Sequence, residues 1–316
     1  MEKRQLGRSA LQVPPLTLGG NVFGWTIDEP TSFMILDGIL DAGFNFVDTA
    51  DVYSRWAPGH KGGESETIIG NWMKTRGNRD KMIIATKVGG DMGQGRKDIS
   101  KKYILEAVEA SLRRLQTDYI DLYQTHWDVE DIPVEETLEA YAQLIKAGKV
   151  RVIGASNFSP ARLKAALEAS AKNGLPRYES FQPHYNLVER EIFEKELEPI
   201  CLENQVGVIN YFALAAGFLT GKYRSEADLS KSPRGAGVKK YLDQRGLRVL
   251  AALDEVSAQY HTTPASVAIA WLIVRPSVTA PIASATNLEQ MNALLDATEL
   301  PLDKEAIAKL DEASKW

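Results

Sequence analysis

Phe44-Asn45-Phe46-Val47-Asp48-Thr49-Ala50-Asp51-Val52-Tyr53 is an apolar run that ends in a carboxylate and carries a phenol five residues further on. Phe44, Phe46 and Val47 read as a strand buried by its neighbours despite the interruption at Asn45, so Asp48 emerges at its C-terminal rim. Two later runs end in a similar way. Lys87 closes Met82-Ile83-Ile84-Ala85-Thr86, and His126 closes Tyr119-Ile120-Asp121-Leu122-Tyr123-Gln124-Thr125. An acid, a phenol, a lysine and an imidazole thus stand at or just past strand ends, the edge on which α/β barrels place their chemistry.

Outward from these runs the chain alternates. Strand candidates begin near Leu16, Phe44, Met82, Tyr119, Val150, Glu179, Gly207 and Val278. The segments between them carry helical period: Ile104, Leu105, Val108, Leu112 and Leu115 share one face, as do Val134, Leu138, Tyr141, Ala142 and Ile145. Ser159-Pro160 and Thr263-Pro264 each set a capping hydroxyl before a proline suited to the first helical position. Lys146-Ala147-Gly148-Lys149 marks a helix end. Eight strands alternating with helices, without a linker or a shift in composition, predict one α/β domain over residues 1–316, a (β/α)8 TIM barrel. To it are added an N-terminal β-hairpin within 1–15, an insertion over 221–245 after the seventh strand, and a terminal helix over 303–316 that folds over the barrel mouth or side.

Composition agrees. A hydrophobic content of 44% with 25% charged residues is that of a globular protein with a sizeable core. The net charge of −5 argues against nucleic acid as the main partner. Cys201 is the single cysteine, so no internal disulfide is possible, and within Leu197-Glu198-Pro199-Ile200-Cys201-Leu202 it reads as a buried small hydrophobe. Met1-Glu2-Lys3-Arg4-Gln5-Leu6 lacks the apolar core of a signal peptide, and no stretch approaches a membrane span. The expectation is a cytoplasmic protein without a membrane partner.

Several familiar sites are missing from the sequence. It has no Gly-x-Gly-x-x-Gly triple, no phosphate-binding Gly-Lys-Ser/Thr, no Gly-x-Ser-x-Gly elbow and no His-Glu-x-x-His, so metal and serine-nucleophile chemistry are disfavoured. Asp48, Tyr53, Lys87 and His126 remain. Each alone admits a plainer reading, as a helix cap, a core aromatic, a surface charge and a packed rim residue. Together they suggest more. A lysine ending an apolar strand needs an anion, which Asp48 on the neighbouring strand supplies. Its ammonium is then expected to stabilise a phenolate and lower the pKa of Tyr53 from about 10, as a general acid near neutrality requires.

These residues resemble those of the aldo-keto reductase superfamily, in a bacterial-type branch similar to the potassium-channel beta-subunit-like reductases. Phe46–Tyr53 followed by Gly63-Glu64-Ser65-Glu66, then Ala85-Thr86-Lys87, Asp121–His126, and Gly148–Arg151 with Ile153–Phe158 are similar to the family's blocks in the family's order. The resemblance implies Tyr53 as proton donor, Lys87 and Asp48 as its tuning pair, and His126 as the group that orients a substrate carbonyl. It also implies NADP(H), with NAD(H) as the alternative, bound without a Rossmann domain. Ser156, Asn157 and Gln182 match positions that hold the carboxamide, and Tyr211 matches the aromatic that stacks on the nicotinamide. Phe212, Ala213, Leu214, Ala215 and Gly217 continue along the pyrophosphate, with Lys222 and Arg234 as phosphate contacts. The plainer reading of Lys222, Arg224, Lys231, Arg234, Lys239 and Lys240 is a solvated basic loop.

Pro281–Gln290 resembles the clamp on the adenosine phosphate, through Ser284, Thr286 and Gln290. Gln290 stands where an arginine often grips the 2′-phosphate, and Ala293-Leu294 replace a frequent Glu-Asn, which weakens the case for strong NADPH selectivity. Gly20, Asn21, Val22 and Asp48 complete the expected cofactor set. Trp56 and Trp127, with Tyr53 and His126, are the candidate pocket; each indole reads equally as a wall or as packing beneath a loop. Arg55 and His60 add polarity suited to a sugar, a polyol or a phosphorylated aldehyde. The expected partner is thus a small carbonyl compound, reduced to an alcohol. The alternatives are a cofactor-sensing interaction module like the channel beta subunits, or a dehydrogenase working in the alcohol-oxidising direction.

Overall fold

The computed structural model of the protein describes residues 2–316. Two short antiparallel strands, β1 (Arg4–Gln5) and β2 (Gln12–Val13), form the expected hairpin. Eight parallel strands come next: β3 (Thr17–Gly19), β4 (Phe46–Asp48), β5 (Ile83–Val88), β6 (Ile120–Thr125), β7 (Val150–Ser156), β8 (Tyr178–Gln182), β9 (Gly207–Val208) and β10 (Ile282–Ala283). They pair in chain order, and β10 pairs with β3. Hydrogen bonds from Thr279 N to Val208 O (2.8 Å) and Ile282 N to Asn210 O (2.9 Å) bring β9 to the segment leading into β10 and complete the ring. This is an α/β fold of the (β/α)8 barrel type.

Strand boundaries differ slightly from those expected. Val278 makes only an isolated bridge to Val208, and the ladder of the eighth strand begins at Ile282. The reason is local: residues 278–282 pair first with β9 and only then with β3, and Pro281 between them has no N–H to give. β4 begins at Phe46 because the N–H of Phe44 is still held by Ile39 O at the end of the preceding helix.

Period two along the strands separates two layers inside the barrel. Phe46, Ala85 and Leu122 pack with Ile209, Ala280 and Ile282 and with Leu6 and Val13 of the hairpin, which closes the floor. Two residues further along the same strands come Asp48, Lys87 and Gln124, and Gln182 takes the matching place on β8. An apolar floor therefore carries a polar layer. Gly154 on β7 makes room for it, because a Cβ there would lie 3.2 Å from the Gln124 side chain and collide with Ser180.

Outward residues such as Val47, Ile84, Tyr123, Ile153 and Val208 pack against the helices in a continuous core. The helices start where the sequence signals them: Ser159 Oγ accepts from Arg162 N, and Thr263 Oγ1 from Ser266 N. Two further features exceed the minimal barrel. The insertion contains two short 3₁₀ turns, Glu226–Lys231 and Gly235–Tyr241, and ends at Asp243, which caps a helix that already includes Arg245. Its order comes from within, since Asp228 accepts from the N–H groups of Arg224 and Ser225. The terminal helix, Lys304–Ala313, packs on the barrel side, tied by Trp271 Nε1 to Asp311 and by Lys309 to Glu255.

Candidate active site

The polar layer converges on one ammonium. Lys87 Nζ donates to Asp48 Oδ2 (2.6 Å), Thr49 O (2.8 Å) and the Tyr53 hydroxyl (2.9 Å), which uses all three of its protons. Both charges of the pair are buried. The other oxygen of Asp48 accepts from Gln124 Nε2 and Gln182 Nε2, each at 3.0 Å, so the carboxylate is satisfied on both sides. Burial works against the Lys87 charge, but Asp48 and then Tyr53 outweigh it and the pKa rises.

Tyr53 reaches this ammonium because the chain folds back after β4: Thr49 N donates to Ala85 O, Asp51 N to Lys87 O, and Tyr53 N to Ala50 O. Ser65, from the Gly63-Glu64-Ser65-Glu66 block, fixes the start of that turn by bonding Thr49 Oγ1 (2.8 Å) and Gly20 O (2.7 Å). The expected direction of the Tyr53 pKa is overturned. Burial dominates and raises it above 10.0, with Lys87 the largest opposing influence. The phenol is therefore protonated throughout the physiological range, poised to donate.

His126 faces Tyr53 with ring centroids 6.0 Å apart. Burial lowers its pKa well below the ordinary 6.5, helped by Lys87 and Lys97, so the ring is neutral. Its Nδ1 is buried without a partner. Behind Tyr53, Asp51 is also buried and neither carboxylate oxygen meets a hydrogen-bond partner. Burial, with Glu66 nearby, pushes its pKa well above 3.8.

A continuous hydrogen-bonded path leads from this centre to the expected nicotinamide residues. From Asp48 it passes to Gln182 Nε2; Gln182 O accepts from Ser156 Oγ (2.8 Å); Ser156 Oγ accepts from Asn157 Nδ2 (3.1 Å); Asn157 Oδ1 accepts from Tyr211 OH (2.9 Å). Both Gln182 N–H groups are spent within the polar layer, on Asp48 and Gln124, which leaves its carbonyl oxygen alone for a ligand. Tyr211 has His184 stacked on one face, 5.2 Å away and 14° from parallel.

Beyond Tyr211 the backbone turns left-handed at Phe212, Ala215, Ala216 and Gly217. Three of these are not glycine, and such a backbone costs energy wherever it is held. Ala213 and Leu214 lie within the same turn, and the Lys222 ammonium abuts Gly217, where a Cβ would sit 3.3 Å from Nζ. In the insertion Arg224, Lys231, Lys239 and Lys240 are paired with Asp254, Asp228, Glu226 and Glu189. Among the described residues Lys222 and Arg234 have no carboxylate partner, and Arg234 Nη2 is buried without any acceptor, its guanidinium 5.2 Å from the Trp25 ring centroid. An unneutralised Lys222 beside a left-handed turn, and an unneutralised Arg234 beside Trp25, fit a phosphate-bearing cofactor. On the neighbouring strand end, Ser284 Oγ bonds Asn21 Oδ1 (2.6 Å) beside Gly20 and Val22, and Gln290 Oε1 accepts from Thr286 N and Oγ1, each at 3.0 Å.

Residues 15–315 match the aldo/keto reductase family. The chain belongs to that family of oxidoreductases. It is 36% identical over 320 residues to the uncharacterized oxidoreductase YrpG of Bacillus subtilis (strain 168), covering 99% of this chain and 95% of that one. Protein tas of Escherichia coli (strain K12) is 31% identical over 340 residues, covering 98% and 97%. A probable voltage-gated potassium channel subunit beta of Arabidopsis thaliana is 32% identical over 308 residues, covering 95% and 92%.

In this aldo/keto reductase the two candidate indoles part company. Trp56 is 48% exposed and meets Tyr53 (5.9 Å) and Trp25 (5.4 Å) edge-on; the hollow of about 320 Å³ that it lines with Val52, Arg55 and His60 does not include Tyr53 or His126. Trp127 stacks on His126 and lies beneath Gly90. Gln124, Trp25 and His184 were not among the expected site residues. Gln124 had a usable signal, since it precedes His126 by two positions on one strand and so shares its face. His184 had the same signal, since it follows Gln182 by two positions; Trp25 had none, because it meets Trp56 and Arg234 only through loops. Cys201 is buried and its thiol is pushed up to about 12, as befits an inert hydrophobe. Among the described residues no helix is long and apolar enough to cross a membrane.

Proposed function

We propose that this aldo/keto reductase reduces an aldehyde or ketone to an alcohol with NADPH. The observation that carries the reading is the buried Lys87 ammonium held between Asp48 and the Tyr53 hydroxyl at 2.6 and 2.9 Å. When bound, the nicotinamide supplies the hydride. Tyr53 gives its proton to the carbonyl oxygen as charge develops there, and Lys87 stabilises the tyrosinate left behind. Asp48, held by Gln124 and Gln182, keeps Lys87 charged and aimed. His126, neutral, offers a hydrogen bond that orients the carbonyl.

Ser156, Asn157 and the free oxygen of Gln182 are assigned to the carboxamide and Tyr211 to the ring face. Lys222 and Arg234 are assigned to phosphates, and Ser284, Thr286 and Gln290 to the far end of the cofactor. The lone, buried Cys201 supports a reducing, cytoplasmic setting. The test is a panel of aldehydes and ketones assayed with NADPH and NADH at the reduced-nicotinamide absorbance, with Tyr53→Phe as control. Turnover that depends on Tyr53 supports the reading. Cofactor binding with no turnover of any carbonyl overturns it in favour of a cofactor-sensing module.

A further inference from the structure

Lys97, Trp127 and His126 form a column from the rim of the barrel to the catalytic centre. Lys97 Nζ lies 4.9 Å from the centroid of the Trp127 ring. Against the same indole, the imidazole of His126 stacks with centroids 3.6 Å apart and planes 20° from parallel. Gly90 packs against the edge of the indole, where an added Cβ would come within 3.1 Å of it. Trp127 is thus packed by Lys97, His126 and Gly90, which makes it a support for His126.

The buried Nδ1 decides what this support holds. It has no hydrogen-bond partner. A proton there would be an unsolvated N–H, whereas a bare lone pair leaves only an unmade acceptor, so the neutral ring carries its proton on Nε2. An imidazolium would also set a second cation against an indole that already holds Lys97. The charged groups around the ring agree. Lys87 and Lys97 are the cations facing it, Asp48 is bound to Lys87, and Asp128 and Asp98 are paired with Arg162 and Arg96. None of these carboxylates bonds the imidazole. Tyr53, on the remaining flank, is protonated.

We propose that Lys97 and Trp127 are positioning residues that hold His126 as a neutral Nε2–H donor aimed at the substrate carbonyl oxygen. The carbonyl half of this statement rests on the reductase reading above; the tautomer and its support do not. The lowered pKa of His126, caused by burial, then Lys87, then Lys97, is the direction such a column produces.

The protein has 4 histidines, so the His126 resonances are assigned by difference with His126→Gln. Titration by ¹⁵N and ¹³C NMR of the protein without substrate should find the wild-type ring neutral, with its proton on Nε2, well below pH 6.5. Lys97 is exposed, so Lys97→Met leaves the fold intact. That variant should raise the midpoint by about half a unit to one unit, and Lys97→Arg should restore it. In kinetics, Trp127→Leu should raise KM about tenfold with kcat much less affected, the equivalent of one neutral hydrogen bond, and Trp127→Phe should recover most of it. An Nδ1–H tautomer in the wild type, or equal midpoints in wild type and Lys97→Met, overturns the proposal. Absence of turnover together with the expected tautomer and shift overturns the reductase reading and supports the column.

Discussion

Removing the Lys87 ammonium should unsettle the fold and the chemistry together, by different amounts. Lys87→Met keeps the length of the side chain and deletes three hydrogen bonds, to Asp48, Thr49 O and Tyr53. Breaking a buried pair by taking away one partner costs about 3–5 kcal/mol. Asp48 keeps its two amide donors from Gln124 and Gln182, which places the expected loss at the lower end, about 3 kcal/mol. With a urea dependence of roughly 3 kcal/mol per M, the unfolding midpoint falls by about 1 M. Adding Asp48→Asn removes the stranded charge and should return about 1–2 kcal/mol, a non-additivity expected of groups in contact. Turnover per folded molecule should drop by about two to four powers of ten, since nothing then stabilises the tyrosinate. Urea titration by fluorescence and carbonyl-dependent NADPH oxidation read the two effects separately. An unchanged midpoint with turnover within threefold of wild type would refute the pairing described for Asp48, Lys87 and Tyr53.

Tyr53→Phe should cost about two to four powers of ten in kcat and leave the cofactor dissociation constant within twofold, because the hydroxyl donates only during reaction; a variant that turns over normally removes Tyr53 from the mechanism. Burial raises the Tyr53 pKa above 10.0, so reduction, which needs the protonated phenol, should be flat through neutral pH and decline only beyond that value; a basic limb between pH 7 and 8 would contradict this. Asp51 has a folded pKa above its unfolded one, so the stability it contributes is fully present below about pH 4 and is lost as pH rises. Asp51→Asn should therefore gain in Tm over wild type as pH goes from 4 to 8, and a constant difference would show that Asp51 is not held protonated. NADPH should bind about one to two powers of ten more tightly than NADH in the wild type, and Gln290→Arg should widen the gap about tenfold by adding a bidentate phosphate partner; tighter binding of NADH, or no gain, would move the adenosine clamp elsewhere.

The strand ends are readable because burial on both faces leaves long apolar runs, and the polar residue that closes each run must lie at the rim. That logic brings Asp48, Lys87, Tyr53 and His126 together from the sequence alone. It does not extend to the direction of the Tyr53 pKa, which is a contest between burial and one nearby cation and depends on how completely the loop after β4 folds back. Nor can it separate the basic residues of the insertion. Lys240 finds Glu189 from 51 residues away and Arg224 finds Asp254 from 30, and only those pairings reveal Lys222 and Arg234 as unneutralised. Gln182 is expected to face a ligand, yet its donors are claimed within the polar layer, one of them by Asp48, 134 residues distant. Trp127 escapes for a plainer reason: a ring beside a rim histidine looks the same in sequence whether it lines a cavity or braces its neighbour.

The way the ring of strands is joined also bears on when this protein can fold as it leaves the ribosome. The first barrel strand pairs with the last, Leu18 beside Ala283, and Arg4 of the hairpin reaches the carbonyls of Val278 and Thr279. This edge of Leu18 is thus paired only once a residue about 265 positions later in the chain is made. Contacts of such long separation form slowly, and a nascent chain that lacks them exposes unpaired edges at both ends of its sheet. Until residue 283 clears the exit tunnel, the hairpin has no complete floor to close and β3 has a bare edge, so chaperone engagement should persist until that residue has emerged.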